Sequence, residues 1–195
     1  MDRYALIFVG PQGSGKGTQA KYFSEYLHAP LIGTGEIFRR HAKRSSLISL
    51  TISRYIRKGK LVPNTVIRLI LTKKMRLHTH DPVLLFDGVP RTLSQKIILD
   101  ALLKRNNIVH VRMILVNIPK NISLQRLRNR KREDDTQATI ESRLSDYYSK
   151  TVPMIHAYKD DNRVIVIDGT PSIAHVTYSI KEQLKIDKEF GLLIK

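Results

Sequence analysis

A three-layer α/β fold, in which helices cover a parallel central sheet, is what this 195-residue sequence predicts. Three observations lead there. The short apolar run Tyr4–Val9 enters a glycine-rich turn and then a helical pattern. Further short apolar runs, suited to buried strands, recur at 83–86, 108–116 and 163–167. Helical periodicity fills the stretches between them. Strands and helices in alternation point to a mostly parallel sheet with helices on its faces. Ligands of such sheets bind beyond the carboxyl ends of the strands.

Taken in order, Tyr4-Ala-Leu-Ile-Phe-Val9 reads as a buried strand and the spacing after Lys16 as a helix. A helical stretch runs from about Thr34 to Lys58, with an interruption expected near Ser45-Ser46. Pro63 opens another helix, because proline's fixed φ suits an early helical position. Val83-Leu-Leu-Phe86 is the second strand, followed by Asp87-Gly88 and a helix over Leu93–Arg105. Ile108–Val116 is the third strand and Arg163–Ile167 the fourth. Between them a helix is expected over Thr136–Tyr158, where Ile140, Leu144 and Tyr147 recur at i, i+4 and i+7 and share an inward face. Asp187–Lys195 reads as an appendage. There is no internal repeat.

Composition bounds the function. The chain is long enough for one substantial core. Its 42% hydrophobic content is ordinary for a globular protein. No segment approaches the roughly 18 apolar residues needed to span a bilayer, so no membrane insertion is expected. No leader is evident ahead of Tyr4, so the expected compartment is the cytoplasm, while the basic balance keeps a mitochondrial location open. With no cysteine, disulfides, thiol nucleophiles and cysteine-ligated zinc are excluded. The seven histidines form no HExxH pattern. The net charge of +17 favours anionic partners, among them nucleotides and nucleic acid.

The most specific signal is Gly10-Pro-Gln-Gly-Ser-Gly-Lys16. Gly10, Gly15 and Lys16 satisfy the GxxxxGK spacing between a strand and a helix. Glycines permit a tight concavity whose N–H groups, with the helix N-terminus, address phosphate oxygens. Lys16 adds a mobile positive charge for the β- and γ-phosphates. Gly13, Ser14, Gly15, Lys16, Gly17 and Thr18 are therefore the candidate triphosphate-binding residues of this loop, ATP-binding under the resemblance described next. The general motif places serine or threonine directly after the lysine to touch magnesium; here Gly17 holds that place and the hydroxyl comes at Thr18. Concentrated triphosphate charge still calls for Mg2+ to screen and orient it. Asp87, just past a strand, is the candidate to hold that ion, directly or through water. Arg126 and Arg130 are four residues apart, so one helix face can present both towards phosphate.

Gly10–Gln19 (GPQGSGKGTQ) is similar to the extended nucleotide loop of the adenylate kinase family. The resemblance continues through Thr34-Gly-Glu-Ile-Phe-Arg39, Gly59-Lys-Leu-Val-Pro63 and Phe86-Asp-Gly-Val-Pro-Arg-Thr92. It then reaches Arg126-Leu-Arg-Asn-Arg130, Arg132-Glu-Asp-Asp135, Arg143-Leu144 and Asp168-Gly-Thr170, in the expected order over almost the whole chain. It implies a P-loop kinase fold with a core of residues 1–32, 63–129 and 136–195. Residues 33–62 would be a monophosphate-binding insertion and 130–135 a very short lid. The implied reaction is reversible phosphoryl transfer from Mg-ATP to AMP, giving two ADP, by a monomer and with no zinc. Thr34 would lie by the AMP base, Arg39 would bind the AMP phosphate, and Lys60, Leu61 and Val62 would line the AMP site. Gly88 and Arg91 would form the next AMP-binding element, with Gln95 at the adenine edge. Arg126 would meet ATP, Thr170 would edge the ATP base, and Asp87 would hold magnesium through water. Arg130, Arg132 and Arg143 would clamp the phosphates of both nucleotides, with Asp134 and Asp135 orienting them. Lys16, Arg91, Arg130, Arg132 and Arg143 are thus the expected catalytic residues.

Departures from the family pattern bear on the acceptor. Gly33 and Glu36 stand where relatives commonly have serine and aspartate, and Asn64 where an acidic residue is frequent. The resemblance implies that Thr34 and Thr92 favour AMP over UMP or CMP, since pyrimidine-specific relatives usually place alanine at the first and often asparagine at the second; a UMP/CMP or broader nucleoside monophosphate kinase is the alternative enzyme. A nucleotide-regulated RNA-binding or assembly protein is the alternative of another class, motivated by the +17 charge but without a recognisable RNA-binding module.

Overall fold

The computed structural model describes residues 2–42, 47–130 and 135–194. These residues form one sheet of five parallel strands: β1 (Arg3–Val9), β2 (Leu31–Gly33), β3 (Val83–Asp87), β4 (Ile108–Asn117) and β5 (Val164–Asp168). Their spatial order is β2-β3-β1-β4-β5, with β1 paired to both β3 and β4. The α/β fold with a parallel central sheet is therefore as predicted. Because both faces of β1 are covered, consecutive residues are apolar rather than alternating. Ala5, Ile7 and Val9 enter one core cluster, and Leu6 and Phe8 the other.

The helices divide between those two clusters. One face carries α1 (Lys16–Tyr26), through Ala20 and Phe23, and the last long helix, Ile173–Ile186. The two are locked at a buried amide: Thr177 Oγ1 donates to Gln19 Oε1 at 2.9 Å, and Gln19 Nε2 donates to the Ile173 carbonyl at 3.1 Å. Helices α2 (Thr34–Ala42) and α3 (Leu47–Arg57) follow β2. The opposite face of the sheet is covered by α4 (Asn64–Arg76) and α5 (Leu93–Arg105). Beyond β4 come α6 (Lys120–Asn129), α7 (Gln137–Asp146) and α8 (Val152–Asp160), then β5 and α9, the Ile173–Ile186 helix. Among the described residues no helix is long and apolar enough to cross a membrane.

Four expectations are modified. The sequence reading missed β2, whose three residues on the sheet edge are too few to show a period; they are held by pairing with Leu85–Asp87. The helical stretch over 34–58 is two helices, and the expected break near Ser45-Ser46 lies outside the described residues. The helix expected over Thr136–Tyr158 is interrupted by a π-helical turn at Tyr147–Thr151. Pro153 explains the interruption, since it lacks an N–H and its ring crowds the preceding turn. Ile140, Leu144 and Tyr147 are nonetheless all buried, as the shared face required.

The fourth is a correction: Asp187–Lys195 is not an appendage. Phe190 is fully buried and Ile194 buried in the α1/α9 core. Arg112 of β4 forks onto Asp187, Nε to Oδ2 at 2.6 Å and Nη2 to Oδ1 at 3.0 Å, and its guanidinium lies 5.5 Å from the Phe190 ring. Without a long apolar run, nothing in the segment itself announced this packing. Burial of Asp187 disfavours its charge, but the Arg112 fork and the N–H groups of Glu189 and Phe190 outweigh it and hold the carboxyl below its ordinary range. A depressed carboxyl contributes stability above its unfolded pKa of about 3.9 and loses it as pH falls through the folded value. Asp187→Asn should therefore lower stability by about 1–2 kcal/mol at neutral pH, with the difference from wild type vanishing in acid. Thermal unfolding measured at intervals below pH 5 would check this; a gap that persists undiminished in acid contradicts it.

Candidate active site

At the carboxyl end of β1 the chain turns through residues 10–15 and enters α1 at Lys16. The loop is closed by Ser14 N–H on the Pro11 carbonyl at 3.2 Å. Lys16 Nζ donates to the same carbonyl at 3.1 Å, arching over the loop. The amino end of α1 thus opens onto a cleft lined by Gly13, Gly15, Lys16, Gly17 and Thr18, where a polyphosphate finds favourable helix polarity.

Outer elements brace this loop. Ser123 of α6, fully buried, donates to the Gln12 carbonyl. Arg126, on the same helix, donates to the carbonyls of Gly169 and Thr170 at 2.8 Å each, with Gly13 O at 3.5 Å. One guanidinium therefore ties α6, the phosphate loop and the turn after β5. That turn is shaped by Asp168, whose carboxylate accepts from Thr170 N and Oγ1 at 2.9 Å each. These two bonds hold the Asp168 carboxyl below its ordinary range.

The opposite wall begins where β3 ends. Gly88 has φ +76°, and a Cβ there would stand 2.8 Å from Arg91 Nη2 and 3.0 Å from Thr34 Oγ1, so only glycine fits without displacement. Thr34, buried, donates to Gly88 O at 3.0 Å, with Asp87 O at 3.3 Å. Arg91 Nε donates to Gly88 O at 2.8 Å, its backbone N–H donates to Gln95 Oε1 at 2.9 Å, and its carbonyl accepts from Thr151 Oγ1 at 3.0 Å. Burial above all, with repulsion from Arg143 and Arg39, pushes the Arg91 guanidinium below its ordinary value, while Asp87 and Asp146 pull the other way. A guanidinium stays protonated even so. With Arg39, Arg143, Asp87 and Asp146 the group keeps a net positive charge, which makes an anion the fitting ligand.

Asp135 organises the third side. Its carboxylate, 2% exposed, receives Arg130 Nε at 2.7 Å, Arg130 Nη2 at 3.0 Å and Arg143 Nη1 at 2.8 Å. This is the aspartate role the resemblance implied. Arg132 and Asp134 lie outside the described residues.

A cleft of about 800 Å³ joins these walls. Gly13, Gly15, Lys16, Gly17, Thr18 and Arg126 line one side. Arg39, Lys60, Leu61, Val62 and Gly88 line the other, with Arg91, Gln95, Arg130 and Arg143. Of the other candidates, Ser14 is buried behind the loop, Thr34 is buried beneath Gly88, and Thr170 stands outside the lining. Ser123 and Thr151 were missed by sequence reasoning. A hydroxyl within a helix carries no pattern of its own, and only its tertiary contact reveals the role.

The residues at the end of β3 fit a magnesium ion. Asp87 Oδ1 is buried with no hydrogen-bond partner, and a Cβ on residue 17 would come within 3.2 Å of Asp87 Oδ2. Glycine in place of the usual hydroxyl residue therefore leaves space beside a carboxylate with an unused oxygen. Mg2+ takes oxygen ligands, commonly one or two carboxylates with substrate phosphates and water.

A parallel sheet with a phosphate loop after its central strand and converging guanidiniums opposite defines a P-loop kinase architecture. Comparison with known proteins places it more narrowly. The family model "Adenylate kinase" matches residues 8–163. The chain is 34% identical over 179 residues to adenylate kinase 1 of Nostoc sp., covering 92% of this chain and 97% of that protein. It is 34% identical over 214 residues to an adenylate kinase of Clostridium botulinum, covering 94% and 99%, and 34% identical over 189 residues to one of Trichodesmium erythraeum, covering 92% and 96%. This chain belongs to the adenylate kinase family. The clostridial alignment is longer than the 195 residues here, so that relative carries residues this chain lacks.

Asp135→Asn removes the charge shared by two guanidiniums while keeping the side chain's size. It should lower stability by about 1–3 kcal/mol and reduce turnover about tenfold or more, as neither arginine keeps its direction. Denaturant unfolding and a phosphotransfer assay on the same preparation check both; unchanged turnover in the folded variant would remove Asp135 from the site.

Proposed function

We propose that the chain catalyses reversible transfer of the γ-phosphoryl group of Mg-ATP to AMP, giving two ADP. The observation that carries this reading is the partly buried Arg91, held by Gly88 and Thr151 and lining one cleft with Arg39, Arg143 and Lys16. Two anionic groups brought together between such walls need positive charge on every side. Family membership supports the nucleotide pair.

ATP binds with its phosphates in the loop of residues 10–15 and at the amino end of α1, with Lys16 on the β- and γ-phosphates. Arg126 and Thr170 border its base. AMP lies between residues 33–62 and the Gly88–Gln95 element, its phosphate on Arg39 and Arg91. Because the Gln95 oxygen is taken by the Arg91 N–H, its NH2 group is left to donate to an acceptor on the purine edge. An AMP phosphate oxygen is already nucleophilic near neutral pH, since its second pKa is about 6, so no side-chain base is needed. Lys16, Arg91, Arg130 and Arg143, with Arg132 from residues 130–135, match the charge on the transferring oxygens. Asp87 would hold Mg2+, which screens and orients the triphosphate. A short lid over 130–135, of which 131–134 lie outside the described residues, would keep water from diverting the phosphoryl group to hydrolysis.

A panel of AMP, GMP, CMP and UMP offered with Mg-ATP tests the acceptor: AMP should be used with the highest kcat/KM, and preference for a pyrimidine monophosphate overturns the reading. Lys16→Ala and Arg91→Ala should each lower kcat about a hundred- to thousandfold without loss of fold. Arg128→Ala, an exposed position on α6, should stay within about twofold of wild type on the same transition-state scale. Near-normal turnover in either of the first two variants would contradict the mechanism.

A further inference from the structure

The +17 charge is unevenly placed. Residues 37–80 contain twelve lysines and arginines and no aspartate or glutamate. Of the ten that fall among the described residues, Arg39 and Lys60 line the nucleotide cleft. The nucleotide site therefore leaves most of this block without an assigned ligand.

Its best-defined part is α4. Leu69, Lys73, Arg76 and Leu77 are exposed and follow at i, i+4, i+7 and i+8, one face of the helix continued into the next residue. Arg68 is exposed beside them. On α5 the exposed positions Leu93, Ile97, Ala101 and Lys104 follow a matching stripe, flanked by Arg105. Leu69 is 53% exposed, Leu77 67% and Ile97 69%.

The two stripes are neighbours. The helices pack along each other, and Arg3 joins their carboxyl ends. Its Nη2 donates to His78 O at 2.7 Å, Nε to Asp81 O at 3.0 Å, and Nη1 to Asn106 O. Asp100, the one carboxylate on these helices, is directed at Lys96 and Tyr158. No exposed position on α4 or α5 is acidic.

We propose that the outer face of α4 and α5 docks the protein on an anionic phospholipid bilayer. Cations at this face meet lipid phosphates and serine headgroups, and leucine and isoleucine side chains enter the boundary between headgroups and acyl chains. Charge complementarity alone would equally admit nucleic acid. Neither helix carries an aromatic residue, so the face has no stacking platform for unpaired bases, and a duplex backbone gives exposed leucines nothing to bury against. The combination of cations with aliphatic side chains matches a bilayer surface. This docking is independent of which monophosphate the cleft accepts.

The test is cosedimentation of the full chain at about 0.15 M salt with vesicles of phosphatidylcholine, with and without about one-third phosphatidylserine. The protein should partition onto the anionic vesicles alone. K73E/R76E/K104E should weaken that partition about a hundredfold, and L69S/L77S/I97S about tenfold or more. Both variants should keep the wild-type unfolding temperature and phosphotransfer rate. Absence of partition by the wild type, or equal partition by either variant, overturns the proposal. So does binding to a double-stranded RNA oligonucleotide that is lost in the charge variant, kept in the leucine variant and accompanied by no vesicle binding.

Discussion

Like charges repel, and the architecture of this protein is organised around holding Lys16, Arg39, Arg91, Arg130 and Arg143 about one cleft. Four of these five cations are held by hydrogen bonds. Lys16 arches over its own loop to Pro11 O, Arg91 is fixed by Gly88 O through its side chain and by Thr151 through its backbone, and Arg130 and Arg143 share Asp135. A single buried carboxylate serving two guanidiniums leaves the pair with net positive charge. That arrangement keeps direction without neutralising the site.

The sheet makes this possible by bringing three strand ends to one edge. β1 delivers the phosphate loop, β3 delivers Asp87 and Gly88, and β5 delivers the turn at Asp168–Thr170. Arg126 links the first and last of these through backbone carbonyls. Its guanidinium thus sets the position of the loop as well as the charge at the cleft. The wall opposite depends on Gly88, where the absence of a side chain lets Thr34 and Arg91 converge on one carbonyl.

Partial burial gives Arg91 particular weight. Desolvation and the neighbouring arginines both act against its charge, so an arriving phosphate relieves an unfavourable arrangement as well as making new hydrogen bonds. In the proposed reaction this favours the state in which negative charge is greatest near Arg91. The same cations explain why a protein base is unnecessary, since the acceptor arrives ionised.

The sequence by itself determined the strand–loop–helix unit at 4–26, the buried strands at 83–86 and 108–116, and the family, because each rests on contiguous residues whose spacing has a local physical meaning. Strand apolarity, the GxxxxGK loop and the Asp87-Gly88 stop were all legible without contacts. The candidate residues on both cleft walls were legible through the family's motifs. Only the tertiary structure decided the rest. β2 is too short to signal itself and exists by pairing with β3. Phe190 is buried because Arg112, seventy-five residues from Asp187, holds the tail down. The family's motifs implied an orienting role for Asp135, but its bridge to both Arg130 and Arg143 takes its form from the packing of α6 against α7. Ser123 and Thr151 gained their roles in the same way. Such contacts depend on chain segments distant in sequence, and no local pattern records where a distant segment will lie.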